Sequence, residues 1–195
     1  MTRPRKAIAR QSSALLSSFS VPTLRHTYIQ DDYISSDEYR EVVDISDKLL
    51  EHLNEPEARE LLSAANMPGV SSAMVQNSFA QFTDGLGFIS EAKGLFSTYD
   101  NKLLRPDFYL PAKSSGILME VERGKTTTNN MDLLDMWKCH LCEHADYLFL
   151  MVPQALRHNP TMTPKKEYNA VVKRLGSFFL PQNYTNVRGL HVFGY

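Results

Sequence analysis

The spacing of hydrophobic residues changes about halfway along the chain. In the first half, apolar residues recur at helical spacing, which is typical of amphipathic helices. The predicted helices are 35–53, 56–65 and 70–83. Ser35 and Glu38 have the spacing of a capping box at the start of the first helix, and Pro56 suits the first turn of the second. Residues 88–95 are predicted to add one or two helical turns, and 99–102 to form a turn.

The second half has the pattern of strands alternating with helices. Short apolar or alternating runs between turn residues predict strands. The predicted strands are 104–110, 117–123, 146–152 and 189–194. Helical spacing predicts a helix over 129–145, with Leu134, Trp137 and Leu141 on its buried face, and another from Pro164 to about residue 179.

This order of elements predicts an α/β fold. Helices come first, then a β hairpin, and then an α-β-α-β series, which gives a mixed central β-sheet with helices on both faces. The length of 195 residues suits a single folded domain. We expect a flexible basic arm at 1–30, a domain at 31–195, a helical layer at 31–84 within it, and a functional core at 85–195.

Composition narrows the class of protein. Hydrophobic residues make up 43% of the chain and charged residues 22%, as in a globular protein. No apolar run reaches the ~20 residues that a membrane span needs, so no membrane partner is expected. The 2 cysteines do not form a disulfide framework, which favours a reducing, cytoplasmic location.

Charge is unevenly distributed along the chain. Residues 1–20 carry four bases and no acids, whereas residues 31–60 carry eleven acids and three bases. The basic arm is read as a disordered terminus, as a tail that contacts phosphates, or as an Arg- and Ser-rich presequence. The acidic segment has no assigned role.

Gly124-Lys125-Thr126 looks like the end of a phosphate-binding loop. Such a loop needs an earlier glycine at position 119, which is Met119 here. The preceding residues also alternate like a strand, so the phosphate-loop interpretation is rejected. A zinc site at Cys139 and Cys142 is also disfavoured, because the chain has no second cysteine pair.

Three acids are predicted to converge at the strand 117–123. Glu120 and Glu122 are two residues apart and therefore project from the same side of the strand. A hairpin brings Asp107, which follows Pro106, beside Glu120. The alternative is a solvated sheet face, but the strand is predicted to be central. Converging carboxylates repel one another unless a cation neutralises them, and Mg²⁺ prefers oxygen ligands.

Pro106-Asp107, followed after twelve residues by Glu120-x-Glu122, resembles the PD-(D/E)xK nuclease superfamily. Glu122 replaces the usual lysine, as in the E-x-E strand of BamHI-type restriction endonucleases. BglII-type enzymes also carry a glycine-lysine pair after the strand and a helix that ends near a lysine. Gly124-Lys125 and Lys138 are similar to these. The resemblance covers about 85–153 and implies a restriction-endonuclease-like core.

The resemblance implies residue roles and a cofactor. The implied metal ligands are Glu91, Asp107 and Glu120, with Mg²⁺ as cofactor and Mn²⁺ as a substitute. Glu122 would be the general base, and Lys125 would contact a phosphate oxygen. Arg105, Arg123, Lys125 and Lys138 are candidate DNA contacts, although each is also read as a solvated surface residue, and Lys138 alternatively leans toward the acids.

The predicted function is Mg²⁺-dependent hydrolysis of double-stranded DNA by a type II restriction endonuclease that acts as a homodimer. One alternative is a repair, recombination or anti-phage nuclease with a preference for a DNA structure or strand. Another is an inactive DNA-binding or interaction protein on a nuclease-like core. The resemblance does not reach residues 1–84.

Overall fold

A six-stranded sheet forms the centre of the molecule. The computed structural model describes residues 21–67, 69–98, 104–155 and 163–195. The predicted basic arm up to residue 20 and the turn predicted at 99–102 lie outside these described residues.

The sheet is mixed, as predicted. Its strands are β1 (Leu24–Ile29), β2 (Ile89–Ser90), β3 (Phe108–Pro111), β4 (Gly116–Val121), β5 (Tyr147–Val152) and β6 (Gly189–Gly194). They lie in the order β1-β6-β5-β4-β3-β2. The central strands β4, β5 and β6 are parallel, and the outer pairings are antiparallel. The carboxyl ends of the three parallel strands therefore lie side by side at one end of the sheet.

Helices cover both faces of the sheet. They are α1 (Asp37–Leu53), α2 (Pro56–Ala65), α3 (Ser72–Gly85), α4 (Met131–Leu141) and α5 (Glu167–Leu175). Short 3₁₀ turns cover Asp31–Tyr33 and Gly176–Phe179. The first three helices pack on one face, and α4 and α5 pack on the other. Within the described residues, no helix is both long and apolar enough to cross a bilayer.

The alternation of side chains in the central strands creates these two apolar faces. In β4, Ile117 and Met119 pack with α1, α2 and α3, whereas Leu118 packs with α4 and α5. Every residue of β4, β5 and β6 is buried. Parallel strands covered on both faces have this character, so the predicted α/β fold with a central mixed sheet is confirmed.

The capping box predicted for the first helix is wrong by one residue. Ser36, not Ser35, is the N-cap, and its Oγ accepts the backbone N–H of residue 39 at 3.1 Å. Glu38 does not reach back to the cap. Its Oε1 accepts the N–H of Ser114 at 2.8 Å, and its Oε2 accepts from Nη1 of Arg188 at 2.7 Å. A long-range partner has therefore replaced the local one.

The two outer strands of the sheet, β1 and β2, were not predicted. The irregular structure expected over 1–30 is replaced in part by β1, which pairs with β6 along its full length. The helical turns expected over 88–95 are replaced by β2, which forms a two-residue ladder with β3. Such edge strands depend on a partner that is distant in sequence, so local periodicity does not reveal them.

The face of α4 that packs on the sheet is not the apolar one that was predicted. Leu134 is 41% exposed and Trp137 is 47% exposed, so their assignment to the core is wrong. The buried side instead carries Met136 and Cys139, which pack in the core, together with Asp132, Asp135 and Lys138. Lys138 forms ion pairs with Asp135 on the same helix and with Glu120 of β4, and these pairs compensate the burial of the charges.

A substitution at Gly116 tests how closely the start of β4 packs against its neighbours. An added Cβ would lie 2.6 Å from the His144 carbonyl oxygen and 2.9 Å from that of Leu110. We expect Gly116→Ala to lower the free energy of unfolding by about 2–3 kcal/mol, because backbone atoms must move. Urea denaturation measures the change. Gly85→Ala, where a Cβ meets nothing within 4 Å, is the control, and equal effects of the two changes would contradict the packing.

Candidate active site

The predicted acid pair meets across the hairpin of β3 and β4. Asp107 immediately precedes β3, and Glu120 lies near the end of β4. Oδ2 of Asp107 accepts the N–H of Val121 at 2.8 Å, and the N–H of Asp107 donates to Oε2 of Glu120 at 3.4 Å. The antiparallel register sets this geometry, since Phe108 pairs with Met119. The prediction that the hairpin brings these acids together is confirmed.

Lys138, from α4, lies against the acid pair. Nζ of Lys138 lies 2.6 Å from Oε1 of Glu120 and 3.4 Å from Oδ1 of Asp135. The side chain of Glu120 is 6% exposed and that of Lys138 is 10% exposed. Of the two alternatives for Lys138, the structure therefore favours the one in which it leans over the sheet toward the acids.

Backbone hydrogen bonds fix Glu122 at the carboxyl ends of the parallel strands. Its N–H donates to the carbonyl of Met151 at 2.8 Å, and its own carbonyl accepts the hydroxyl of Tyr195 at 2.8 Å. Burial, with the charges of Asp135 and Asp107, raises the pKa of the Glu122 carboxyl to about 8, although Lys138 opposes the shift. A carboxyl with that pKa exchanges a proton near neutral pH.

The pKa values of the other acids beside Glu122 are also raised. Burial, the nearby Asp135 and Asp107 raise the pKa of Glu120. Burial raises the pKa of Asp135 to about 6, and burial also raises that of Asp107. Burial alone would lower the pKa of Lys138, but Glu120 and Asp135 raise it above its ordinary value. One ammonium therefore faces more carboxylates than it can neutralise.

These groups line a cavity of about 840 Å³ at the carboxyl end of β4. One wall comes from the segment before α3, at Gly69, Val70 and Ser71, and from α3 itself at Gln76. The amide of Gln76 donates to the carboxylate of Asp107. The helical layer thus builds one side of the site and contacts a predicted catalytic acid.

The opposite wall is a loop braced by α5. Thr127 Oγ1 donates to Glu167 Oε2 at 2.6 Å. Arg174 donates from Nη1 to the Thr127 carbonyl and from Nη2 to Asn130 Oδ1, each at 2.8 Å. The brace fixes the loop that presents Lys125, whose backbone is left-handed with φ at 60°. Lys125 is exposed and lines the cavity.

The two predicted arginines have different surroundings. Nη1 of Arg105 lies 3.8 Å from Oε2 of Glu91 at the rim of the cavity. Arg123 donates from Nε to the Ala65 carbonyl at 3.2 Å and from Nη2 to the Met67 carbonyl. Arg123 thus holds the end of α2 beside the cavity, and its guanidinium is engaged there.

Glu91 does not join the group of acids. It follows β2 rather than lying on a helix, and its side chain is 71% exposed. Its backbone N–H donates to the Asp107 carbonyl at 2.8 Å, but its carboxylate is outside the cavity lining. Within 21–67, 69–98, 104–155 and 163–195, no group of three or more His, Cys, Asp or Glu side chains is placed to hold a metal ion. Metal binding therefore stays a prediction.

Two residues of the site were not predicted. Asp135 was overlooked because apolar spacing assigned α4 the opposite buried face, although Asp132, Asp135 and Lys138 recur at intervals of three along the helix. That interval is a signal of one helix face. Gln76 has no comparable signal in the sequence, since its partner Asp107 is thirty-one residues away.

No family model, curated protein or solved structure matches the chain. The cleft itself gathers acids, the buried ammonium of Lys138 and the exposed Lys125.

The raised pKa of Glu122 makes stability depend on pH. An unfolded glutamate titrates near pH 4.3, whereas the folded pKa is about 8. Between these values the folded protein binds the extra proton, so its stability falls as pH rises. We expect Glu122→Gln to become more stable than the wild type as pH rises, by about 1–2 kcal/mol at pH 8 after allowing for solvent screening.

Urea unfolding in EDTA at several pH values from about 5 to 8 measures this difference. Glu41→Gln, at an exposed position of α1 away from the cavity, is the matched control variant. A difference for Glu122→Gln that stays constant, or shrinks, as pH rises would contradict the raised pKa.

Proposed function

We propose that the protein is a metal-dependent endonuclease that hydrolyses phosphodiester bonds in double-stranded DNA and resembles the PD-(D/E)xK superfamily. The observation that carries the proposal is the pairing of Asp107 with Glu120 across the hairpin, with the Lys138 ammonium 2.6 Å from Glu120. The superfamily motif combines two acids with a lysine. Here the lysine position of the strand is Glu122, and α4 supplies the ammonium.

We propose the carboxylates of the cleft as ligands of a hard divalent cation, although the described residues contain no group of three or more His, Cys, Asp or Glu side chains already placed around an ion. Asp107, Glu120 and Asp135 offer carboxylate oxygens in one cavity, and Oδ2 of Asp135 is buried without a hydrogen-bond partner. Such oxygens suit Mg²⁺, with Mn²⁺ as a substitute. Bound there, the cation would stabilise negative charge on the phosphate and on the attacking and leaving oxygens. Asp107 and Glu120 are the proposed ligands, with Asp135 in place of Glu91.

Glu122 is the proposed general base. It lies at the end of the strand that carries Glu120, and its pKa of about 8 suits proton transfer near neutral pH. Its carboxylate would take a proton from the attacking water. The hydrogen bonds of its backbone to Met151 and Tyr195 hold it in position during that transfer.

Two cations have separate proposed roles. Lys138 is buried against Glu120 and keeps the acids close together by compensating part of their charge. Lys125 is exposed at the mouth of the cavity, where its ammonium is available to a phosphate oxygen of the DNA. Arg105 at the rim can make a similar contact by exchanging its partner Glu91 for a phosphate.

Isosteric changes of the acid pair test the activity. We expect Asp107→Asn and Glu120→Gln each to reduce Mg²⁺-dependent cleavage of plasmid DNA by about 10²- to 10⁴-fold, because each removes a proposed ligand. Lys125→Ala should cost less, about tenfold. Glu57→Gln on the exposed surface of α2 is the matched control.

Cleavage is measured on supercoiled, linear and single-stranded DNA with Mg²⁺, Ca²⁺ or EDTA. Wild-type rates in Asp107→Asn or Glu120→Gln would refute the site assignment. Discrete fragments would support the restriction enzyme, and a smear would support a nuclease with a structure or strand preference. Binding of DNA by the wild type without any metal-dependent cleavage would instead support the inactive binding protein.

A further inference from the structure

We propose that the DNA duplex lies on the loop 122–130, between β4 and α4, and on the start of α5, where Lys166 contacts a phosphate outside the cleft. The inference rests on the proposed function, because it names the surface that holds the substrate of the same site. Three observations carry it: the shortage of free positive charge in the cleft, the unequal charge of the two helical layers, and the position of Lys166 beside the loop.

The cleft by itself supplies little free positive charge. Four bases and four acids line it, so its formal charges balance. Of the bases, Lys138 is buried against Glu120. Arg123 donates to carbonyls at the end of α2, and Arg105 faces Glu91 at 3.8 Å. Because DNA affinity comes largely from cations that neutralise phosphates, a duplex bound at this cleft needs further cations beside it.

The two helical layers differ in their exposed charge. On one side of the sheet, α1 and α2 together carry seven exposed acids and two exposed bases. By contrast, residues 123–141 and 163–180, which include α4 and α5, carry four exposed lysines, and all three of their acids are buried. A polyanion is attracted to the second layer and repelled by the first. This asymmetry indicates that α4 and α5 face the DNA and that α1 and α2 are turned away from it.

Contacts with the loop bring the start of α5 beside the cleft. Lys165 donates from Nζ to Thr127 Oγ1 at 2.5 Å and to Thr128 Oγ1 at 3.1 Å. The same loop carries Lys125, which lines the cleft. Lys166 follows Lys165 directly, is exposed, and makes no ion pair within the described part of the chain. Its ammonium is therefore available to a phosphate beside the cleft.

The helix α5 runs away from the end of the sheet that holds the cleft. Near its start, Tyr168 packs on the final glycine of β6, where an added Cβ would lie 2.6 Å from the tyrosine ring. Near its end, the Val172 carbonyl accepts the hydroxyl of Tyr28 at 3.0 Å, and Tyr28 pairs near the start of β6. Lys173 is seven residues after Lys166 and is therefore about 10 Å farther from the cleft along the helix axis.

Lys166 and Lys173 form a matched pair of cations. Both are exposed, and about two helical turns separate them, so they project from the same side of α5. Attraction that depended only on the net charge of the protein would involve both lysines equally. A duplex on the proposed surface instead contacts Lys166 and leaves Lys173 in water.

The test compares Lys166→Gln with Lys173→Gln. Affinity for a labelled duplex of about 30 base pairs is measured by fluorescence anisotropy in EDTA over a range of salt concentrations. We expect Lys166→Gln to make the slope of log K against log salt less steep by ~0.9, because one phosphate is no longer neutralised. Lys173→Gln should leave the slope unchanged. The double variant Lys125→Gln with Lys166→Gln should make it less steep by about 2.

Cleavage separates a binding contact from a role in the chemistry. Single-turnover cleavage by Lys166→Gln at saturating DNA with Mg²⁺ should stay within about twofold of the wild-type rate. A larger loss at saturation would overturn the placement of Lys166 outside the reacting centre. An unchanged slope in Lys166→Gln, or equal slopes in Lys166→Gln and Lys173→Gln, would overturn the proposed surface.

The same measurements distinguish this inference from the proposed function. A protein that shows the expected slopes but cleaves no DNA with Mg²⁺ or Mn²⁺ would support the surface and refute the nuclease. A wild type that binds no DNA would overturn both.

Discussion

The burial of several carboxylates around one ammonium at the end of β4 is the constraint on which the rest of this site depends. Charges removed from water must be compensated locally. Asp107 is compensated by a backbone N–H and by Gln76, and Glu120 by Lys138. Asp135 keeps one oxygen without a partner, and Glu122 is left with a strongly raised pKa. The proposed roles of the cleft, cation binding and proton transfer, rest on this incomplete compensation.

Distant elements hold that arrangement in place. The helical layer contributes Gln76 and, through Arg123, fixes the end of α2 beside the cleft. On the other side of the sheet, α5 braces the loop of Lys125 through Arg174 and Glu167. The site is thus formed where two helical layers meet one edge of the sheet. For open α/β sheets, the carboxyl ends of the strands are where ligands generally bind.

Local sequence determined some of these features and not others. The acid pair was predictable because a short hairpin fixes which residues face each other, and the central strands were predictable from their apolar runs. The edge strand β1 and the contact of Gln76 with Asp107 depend on partners far along the chain. The buried face of α4 was missed because Asp135 and Lys138 are inside only as partners of each other and of Glu120, which apolar periodicity does not register.

The central claim is that the carboxylates at the end of β4 bind a divalent cation used in DNA cleavage. Anomalous diffraction from crystals grown with Mn²⁺ tests it most directly. We expect a manganese peak bound by the carboxylates of Asp107 and Glu120 in the wild type, and no such peak in Glu120→Gln. Crystals of the wild type with no peak in the cleft, or with a peak only at surface acids, would contradict the claim.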